Sequence, residues 1–346
     1  MSTELMRAVV ITAPKTASLE HIERWSPKPG DVLVRCRTAA VCTTERRIFS
    51  GDLKVYPAIG GHEFAGIIEW VDGSQSDLKP GDLVAIDAVN RCGRCYYCIR
   101  GHNNLCVDMY KSRKDSKYIL VGGGFAEYVT VLASQVVKLP ENADLEEASL
   151  IEPLACCLHS IKKAQLSFGD TVAIVGAGTM GVMHMLLAKM TGAKTIVSDV
   201  DDARLDLVKH LGADATTNPK AEDPAKAVQD YTEGRGADAV IVAASTKKAG
   251  EQGLAMAGRL GRVVFYASLY PPDNLDLDWN RMHYGEMTIA GTEGKTARDF
   301  HEAARLVGSG AIKLRPLISK VIPLDELPAE LGSRPAGETK RVVVKL

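Results

Sequence analysis

Short apolar runs separated by glycine and proline dominate the first part of the chain. Candidate strands of this kind lie at 5–11, 31–38, 64–71, 82–86, 125–131 and 135–138. Turn-forming pairs, such as Pro29-Gly30 and Pro80-Gly81, lie between them. Segments of this length and spacing are typical of a small β-barrel with long loops. The pattern therefore predicts a β-rich region of about 150 residues.

From residue 151 the pattern changes to apolar runs that alternate with longer helical stretches. Candidate strands lie at 172–175, 195–198, 214–217, 239–243, 262–266 and 287–290. The helical stretches between them include 202–211 and 223–231. Strands that alternate with helices predict a doubly wound parallel sheet. This α/β region ends near residue 292.

The remainder of the chain mixes helical and strand patterns. We expect a helix from Thr296 to near Gly308, a strand at 317–322, a helical stretch from Leu324 and a final strand at 341–344. Because this tail has β character of its own, we expect it to fold back onto the first region. The predicted domains are 1–150, 151–292 and 293–346.

The junction between the first two regions carries a candidate helix and an unusual carboxylate. Asp144 and Glu147 form a D-x-x-E pattern, which predicts a capping box. Glu152 lies in an otherwise apolar stretch, where a buried carboxylate needs a partner, and a metal is one candidate. Three nearby residues could also be ligands, although helical core packing explains them better: Cys156, Cys157 and His159.

A G-x-G-x-x-G motif directly follows the apolar run 172–175. Its glycines suit a tight turn at Gly176, backbone approach to a pyrophosphate at Gly178 and close helix–strand packing at Gly181. The helix that begins near Thr179 would direct free N–H groups at the phosphates, and Met180 lies in the same turn.

An acidic residue completes this pattern. Asp199 ends the second apolar run, 18 residues beyond Gly181, and an acid there can accept hydrogen bonds from an adenosine ribose. A glycine turn alone is a weak signal. Strand, turn, helix, second strand and acid together predict a dinucleotide site.

The composition excludes several classes of protein. The chain has 346 residues, of which 46% are hydrophobic and 25% charged, with a net charge of −1. A nearly neutral chain argues against nucleic acid or an anionic membrane as a partner. The first residues lack a secretory pattern, and no apolar run is long enough to span a bilayer. We therefore expect a cytoplasmic protein.

Four of the eight cysteines form a C-x2-C-x2-C-x7-C pattern within a lobe at about 91–107. Its members are Cys92, Cys95, Cys98 and Cys106. Four thiolates this close suit a closed tetrahedral zinc site, with a redox dithiol as the alternative. Because a closed site has no open coordination position, we assign this metal to folding rather than chemistry.

A second group of potential ligands lies on loops of the β-rich region. Cys42 is followed at a distance by His62 and Glu63. Cysteine, histidine and carboxylate side chains are suitable zinc ligands. Their spacing is too loose to define a site, so ordinary burial and metal binding stay open on the residues alone.

The order of these motifs resembles that of the zinc-dependent medium-chain dehydrogenases. The resemblance covers essentially the whole chain and rests on Cys42, Gly61-His62-Glu63, the four-cysteine lobe, Glu152-Pro153-Leu154 and the glycine motif. It implies a GroES-like β-barrel catalytic domain, a Rossmann domain with a doubly wound parallel sheet, and a C-terminal segment that returns to the first domain. The Glu-Pro-Leu form is similar to the sorbitol, threonine and cyclitol dehydrogenase branch.

The resemblance also implies roles for individual residues. Cys42 and His62 match ligands of a catalytic zinc. Glu63 matches a carboxylate that binds this zinc or orients its shell, and Glu152 matches the third or exchangeable ligand. Thr44 matches the hydroxyl group that takes the substrate proton. The cysteines of the lobe match a structural zinc site, which gives two zinc ions per chain.

The implied second cofactor is NAD. Asp199 matches the acid that binds the adenosine ribose, and Arg204 matches a basic residue that flanks the adenosine. Ala267, Ser268 and Thr292 lie at the ends of predicted strands and are expected to border the cofactor.

Two positions depart from the family pattern. Arg47 lies where many members have a histidine that passes the proton to water, and a permanently charged arginine is a poor shuttle. Arg46 or Arg47 could instead bind cofactor phosphates or an anionic substrate. Asp72 lies where a glycine usually ends the motif that begins at Gly61, and a turn shifted to Gly73 is the simplest explanation.

The implied function is zinc- and NAD-dependent oxidation of a secondary alcohol, such as a polyol or cyclitol, to a ketone. The site would lie between domains. The expected partner is a small-molecule alcohol, in a homodimer or homotetramer. Phosphorylated or amino-alcohol substrates such as threonine, a non-catalytic homologue, a nucleic-acid-binding zinc module and a zinc-free quinone reductase are the alternatives.

Overall fold

The computed structural model describes residues 4–73, 77–109, 117–269, 271–333 and 340–346. The chain divides into two compact units. The first combines residues 1–155 with 296–346, and the second contains residues 156–295. The three predicted domains, 1–150, 151–292 and 293–346, stay a prediction.

The first unit is built mainly from strands. Its strands are β1 (Leu5–Ala13), β2 (Thr16–Glu23), β3 (Asp31–Ala40), β4 (Ala58–Ile59), β5 (Glu63–Val71), β6 (Leu83–Asp87), β7 (Ile119–Leu120), β8 (Tyr128–Leu132), β9 (Val136–Lys138), β16 (Ile318–Pro323) and β17 (Arg341–Lys345). Its helices are α1 (Thr43–Ser50), α2 (Tyr96–Ile99), α3 (Leu145–Ala148), α10 (Ala297–Gly308) and α11 (Leu327–Gly332). Helix α4 (Ile151–Ala164) continues from the first unit into the second.

These strands form two open sheets. One has the order β2-β1-β4-β7, and the other has the order β16-β17-β3-β5-β6-β9, with β8 also paired to β3. Strand β3 lies between β17 and β5, so Ala40 faces Val343 on one side and Glu63 on the other. Continued by two residues, this register brings Cys42 towards Arg341. The last strand of the chain therefore lies beside the candidate metal ligands.

The second unit is an α/β layer structure. Its strands are β10 (Thr171–Val175), β11 (Lys194–Ser198), β12 (Ala215–Thr217), β13 (Ala237–Val242), β14 (Ala257–Phe265) and β15 (Thr288–Gly291). Its helices are α5 (Thr179–Met190), α6 (Asp202–His210), α7 (Pro224–Tyr231), α8 (Lys247–Met256) and α9 (Trp279–Gly285). The sheet order is β12-β11-β10-β13-β14-β15, and all five ladders are parallel.

The central strands explain why the sequence signals this fold so clearly. Every residue of β10 is buried, and four of its five residues are apolar. A strand covered on both faces has to be apolar along its whole length, which is why the pattern is a run rather than an alternation. The reversal of strand order at β10 places the following glycine turn at the crevice where open α/β sheets bind ligands.

One local expectation needs correction. Asp144 does cap α3, since its carboxylate accepts the N–H of Glu146 at 2.8 Å. The predicted capping box is wrong, because the carboxylate of Glu147 accepts the N–H of Leu314 at 2.7 Å instead. The shifted turn at Gly73 stays a prediction, because it would continue into residues outside the described ranges. Asp72 itself holds the turn at Gly30, because its carboxylate accepts the N–H of Gly30 at 2.6 Å.

None of the helices in the described ranges has both the length and the apolar character needed to cross a bilayer.

Candidate metal centres and dinucleotide site

The four cysteines of the lobe converge on one point. The sulfur atoms of Cys92, Cys95, Cys98 and Cys106 all lie within 4.8 Å of one another. Backbone N–H groups point at them: the N–H of Cys92 donates to the Cys106 sulfur at 3.2 Å, and the N–H of Cys95 donates to the Cys92 sulfur at 3.3 Å. Such donors stabilise thiolates, which are the form that binds zinc.

The thiols of the lobe differ in acidity. Backbone N–H groups at Cys98 and Val107 lower the pKa of Cys95 to about 6. Burial and the neighbouring Cys95 sulfur raise the pKa of Cys98. Zinc binding therefore has to displace protons from this cluster, and the donor set fits a closed four-sulfur site.

The second group of ligands assembles at the end of β3. Cys42 is the N-cap residue of α1, His62 lies just before β5, and Glu63 is the first residue of β5. One ligand atom from each of these three residues lies within 4.8 Å of the other two. The pairing of Ala40 with Glu63 explains how residues so far apart in sequence meet.

The His62 ring is held from behind by Glu45, a completely buried carboxylate on α1. Its Oε1 atom lies 2.7 Å from Nδ1 of His62 and accepts the N–H of Gly61 at 2.9 Å. Burial alone would raise the pKa of Glu45, but the facing imidazole and this N–H group outweigh it and lower the pKa. With Nδ1 engaged, Nε2 of His62 is the nitrogen left for a metal.

The charge of Glu45 acts on His62 in return. Burial disfavours the imidazolium, but Glu45 and Cys42 outweigh this effect and raise the pKa of His62 well above its usual value. Without metal the pair is therefore an ion pair, and a metal has to displace the proton.

Glu63 is shared between the ligand group and Arg341. Its Oε1 atom accepts a hydrogen bond from the guanidinium of Arg341 at 2.8 Å, and the same guanidinium lies 3.7 Å from the sulfur of Cys42. Its Oε2 atom is buried and has no hydrogen-bond partner among the described residues. Burial raises the pKa of this carboxyl group, and the charge of Glu152 adds to the effect. A buried orphaned oxygen beside a cysteine sulfur and an imidazole fits a divalent cation.

Glu152 lies near this group without joining it. It is the second residue of α4, it is about nine-tenths buried, and its charge acts on Glu63. The cluster of close ligand atoms comprises Cys42, His62 and Glu63, without Glu152. The geometry favours Glu63 as the nearer carboxylate, and the ligand role of Glu152 stays a prediction.

Helix α1 carries the other residues that the sequence singled out. The hydroxyl group of Thr44 lies 3.9 Å from the sulfur of Cys42, which places it beside the ligand group. Arg46 points away, since its guanidinium donates to the Glu330 carboxylate and to the Glu330 backbone carbonyl, each at 2.7 Å. These bonds make Arg46 a link between α1 and α11, whereas the role of Arg47 stays open.

The glycine turn in the second unit is closely packed. Gly176 has a φ of +107°, a conformation that side chains disfavour. A Cβ atom at Gly181 would lie 1.8 Å from the carbonyl oxygen of Gly176, so only glycine fits there. Gly178 is the N-cap of α5, whose first turn therefore presents its backbone N–H groups to the crevice. This cradle fits a pyrophosphate.

Asp199 ties the turn to the end of β11. Its carboxylate accepts the N–H of Ala177 at 2.7 Å and the N–H of Asp201 at 3.0 Å. The guanidinium of Arg204 lies 3.6 Å from the same carboxylate. An anchored acid at this position fits a ribose with free hydroxyl groups.

The predicted residues at the other strand ends also lie on this edge of the sheet. Ala267 follows β14 and donates its N–H to Val242 at 3.1 Å, and Ser268 comes next. Thr292 follows β15 and donates its N–H to Phe265 at 3.3 Å. Their contact with a cofactor stays a prediction.

Comparison with known proteins decides the family. The model of the alcohol dehydrogenase GroES-like domain matches residues 28–141, and that of the zinc-binding dehydrogenases matches residues 179–309. L-threonine 3-dehydrogenase of Bacillus subtilis (strain 168) is 32% identical over 322 residues, covering 91% of this chain and 90% of the relative. The chain belongs to the zinc-dependent medium-chain dehydrogenases.

Other members of this family agree in sequence and in fold. The 2-dehydro-3-deoxy-L-galactonate 5-dehydrogenase of Pseudoalteromonas atlantica is 31% identical over 313 residues, covering 89% of this chain and 88% of the relative. A structure described as a zinc-binding dehydrogenase from Sinorhizobium meliloti 1021 bound to NADP has a TM-score of 0.92 and 30% identity. It covers 99% of this chain and 100% of that one.

This medium-chain dehydrogenase is therefore a zinc-binding oxidoreductase that acts on CH–OH groups with a nicotinamide dinucleotide. The predicted family, the GroES-like plus Rossmann fold class and the enzyme class are confirmed. The role of each site residue stays a prediction.

Two residues beside the candidate metal ligands, Glu45 and Arg341, are absent from the sequence-based predictions. Glu45 lies three residues after Cys42, within the same first turn of α1, and this spacing could have revealed it. Arg341 gave no comparable signal, because its proximity to Glu63 depends on the pairing of β17 with β3.

Proposed function

We propose that this dehydrogenase oxidises a secondary alcohol of the polyol or cyclitol type to a ketone, with NAD as the hydride acceptor. The observation that carries the proposal is the convergence of Cys42, His62 and Glu63, with the Thr44 hydroxyl group beside them. A zinc ion there would polarise the alcohol oxygen, and the nicotinamide would accept the hydride.

The protein groups have separable tasks in this reaction. Thr44 accepts the hydroxyl proton of the substrate through a hydrogen bond. Glu45 fixes the orientation of the His62 ring. Arg341 balances the charge of Glu63. Because Arg47 replaces the usual histidine shuttle, the proton has to leave by another route.

NAD is proposed over NADP on the evidence of Asp199. A carboxylate that is already anchored by two backbone N–H groups repels a ribose 2′-phosphate and accepts hydrogen bonds from free hydroxyl groups. The related structure bound to NADP shows that the fold itself also accommodates the phosphorylated cofactor.

A spectrophotometric screen tests the proposal. Purified zinc-loaded enzyme is mixed with NAD or NADP and a panel of polyols, cyclitols, sugar phosphates and L-threonine, and the formation of reduced cofactor is followed. A higher kcat/KM for a polyol or cyclitol with NAD supports the proposal. Turnover of L-threonine alone would replace it with the amino-alcohol alternative, which several relatives favour. Absence of turnover on the whole panel would refute it.

We further propose that the enzyme works in the cytoplasm as a homodimer or homotetramer. All eight cysteines are free of disulfides, and zinc sites made of thiolates persist in a reducing compartment. Light scattering on the purified protein tests the oligomeric state.

A further inference from the structure

A buried histidine in the second unit has no role in the chemistry described above. His184 lies on α5, directly behind the glycine turn, and its side chain is completely buried. Its Nδ1 atom lies 2.7 Å from the carbonyl oxygen of Met180. Since a carbonyl can only accept, Nδ1 carries the proton. Burial lowers the pKa of His184 to about 4, so the ring is neutral at neutral pH.

The carbonyl group of Met180 receives a second side-chain donor. The thiol of Cys157, on α4, lies 3.6 Å from the same oxygen. Met180 belongs to the first turn of α5, within the glycine motif. Two side chains from two helices thus hold the backbone of the turn whose N–H groups face the dinucleotide crevice.

The other side of the His184 ring contacts the end of a neighbouring strand segment. Tyr266 packs edge-on against it, with 4.6 Å between ring centroids and an angle of 76° between the planes. Tyr266 directly follows β14 and directly precedes Ala267 and Ser268. One imidazole therefore contacts the backbone of the glycine turn and the side-chain ring of a residue at the carboxyl edge of the sheet.

A residue needed only for packing would not have to be polar here. The Nε2 atom of His184 is buried and has no hydrogen-bond partner among the described residues. An unpaired buried acceptor is unfavourable, and a hydrocarbon side chain would avoid that cost. The imidazole combines two properties that a hydrocarbon lacks: a donor for the Met180 carbonyl and a flat ring for Tyr266.

We propose that His184 is a positioning residue for the dinucleotide, which holds the glycine turn and the Tyr266 segment in the geometry that binds the cofactor. The inference rests on the use of a nicotinamide dinucleotide in the proposed function. It assigns no proton transfer to His184, whose ring stays neutral and acts through Met180 and Tyr266.

Two substitutions separate the contributions of the donor and the ring. His184→Phe keeps a ring for Tyr266 and removes the donor, whereas His184→Asn keeps an amide donor near the Nδ1 position and removes the ring. We expect His184→Phe to raise the Kd for NADH and the KM for NAD about fivefold to tenfold, the effect of one lost buried hydrogen bond. At saturating NAD, the kcat of His184→Phe should change less than twofold. His184→Asn, which keeps a donor, should retain most of the wild-type affinity for NADH.

The decisive measurement is NADH binding by fluorescence titration without any alcohol present. Met185→Leu is the matched control, because Met185 is a neighbouring, fully buried residue of α5. It should leave the Kd for NADH unchanged even if it lowers the Tm. If His184→Phe lowers the Tm but binds NADH like the wild type, His184 is only a packing residue and the inference is refuted.

The failure of this inference is distinguishable from the failure of the proposed function. If the wild-type enzyme binds no dinucleotide, the proposed function fails first. If His184→Phe does not fold, NMR of the imidazole nitrogens in the wild type decides, with His184→Asn used for assignment. A protonated Nδ1 whose signal shifts on addition of NADH supports the positioning role, and a signal that NADH leaves unchanged overturns it.

Discussion

Replacing Glu45 with glutamine should loosen the catalytic metal while leaving the fold intact. The two carboxylate oxygens of Glu45 accept three N–H groups: Oε1 from Gly61 and His62, and Oε2 from the backbone of Cys42 at 3.2 Å. Glutamine keeps one of the two oxygens and replaces the other with an NH₂ group. That NH₂ group would face at least one of the three N–H donors. One buried donor is then unsatisfied, which costs about 1–3 kcal/mol of folding stability.

The same contacts determine how strongly the substitution weakens zinc binding. A carboxylate behind a ligating histidine fixes the ring and raises its basicity, and loss of such a partner reduces metal affinity about 10- to 100-fold. That corresponds to about 1.4–2.8 kcal/mol of zinc-binding free energy. Only one of the two zinc ions should be affected, because the lobe cysteines do not contact Glu45.

The difference in zinc affinity between the wild type and Glu45→Gln should change with pH in a defined direction. Glu45 raises the pKa of His62 well above its usual value, so protons compete with zinc in the wild type at a higher pH than in Glu45→Gln. The competition disappears once the pH exceeds the raised pKa. The ratio of wild-type to variant zinc affinity should therefore increase as the pH rises.

Competition with a chromogenic chelator, followed by metal analysis, measures these affinities. Glu141→Gln is the control, because Glu141 is an exposed carboxylate on a loop. We expect Glu45→Gln to retain one tightly bound zinc and to lose the other at a lower chelator concentration, with parallel loss of activity that added zinc restores. Equal zinc retention in Glu45→Gln and the wild type would show that Glu45 does not support the metal.

Three further predictions concern the cofactor and the two metal sites. Asp199→Ala should narrow the preference for NAD over NADP, measured as the ratio of kcat/KM values, and a wild-type preference for NADP would contradict the role of this acid. Cys95→Ala should lower the Tm and the zinc content by one ion per chain without changing the intrinsic chemistry, whereas a disulfide in the freshly purified lobe would contradict a structural zinc site. Glu152→Ala should reduce activity or occupancy of the catalytic metal, while Cys156→Ala should act mainly through packing. The ligand assignment is wrong if Cys156→Ala loses the catalytic zinc and Glu152→Ala keeps it.

Features that depend on local sequence could be predicted well. The three central strands of the α/β sheet, β10, β11 and β13, begin and end within two residues of the predicted apolar runs, because they are buried on both faces. The glycine turn could also be predicted from the sequence. A side chain at Gly181 would collide with the Gly176 carbonyl oxygen, so the turn requires the glycine that the motif shows. The lobe cysteines could be grouped from spacing alone, because all four lie within 15 residues, 92–106.

Features that depend on strand pairing could not be predicted in the same way. Strand β2 is absent from the predicted strands because only one of its eight residues is buried, so it forms no apolar run. Cys42 and His62 are 20 residues apart, and only the antiparallel register of β3 and β5 brings their loops together. Arg341 lies far beyond both in sequence, so its proximity to Glu63 is a property of sheet topology alone.

The position of β17 has a consequence for the order of events during synthesis. Chains are made from the N-terminus, and domains generally fold as units once their residues are available. The candidate zinc ligands Cys42, His62 and Glu63 are made early, but the guanidinium that faces Glu63 arrives only once Arg341 has been made and β17 has paired with β3. We therefore expect this site to reach its final geometry only after β17 has been made. The four lobe cysteines are all made by residue 106, so the lobe can take up its zinc earlier.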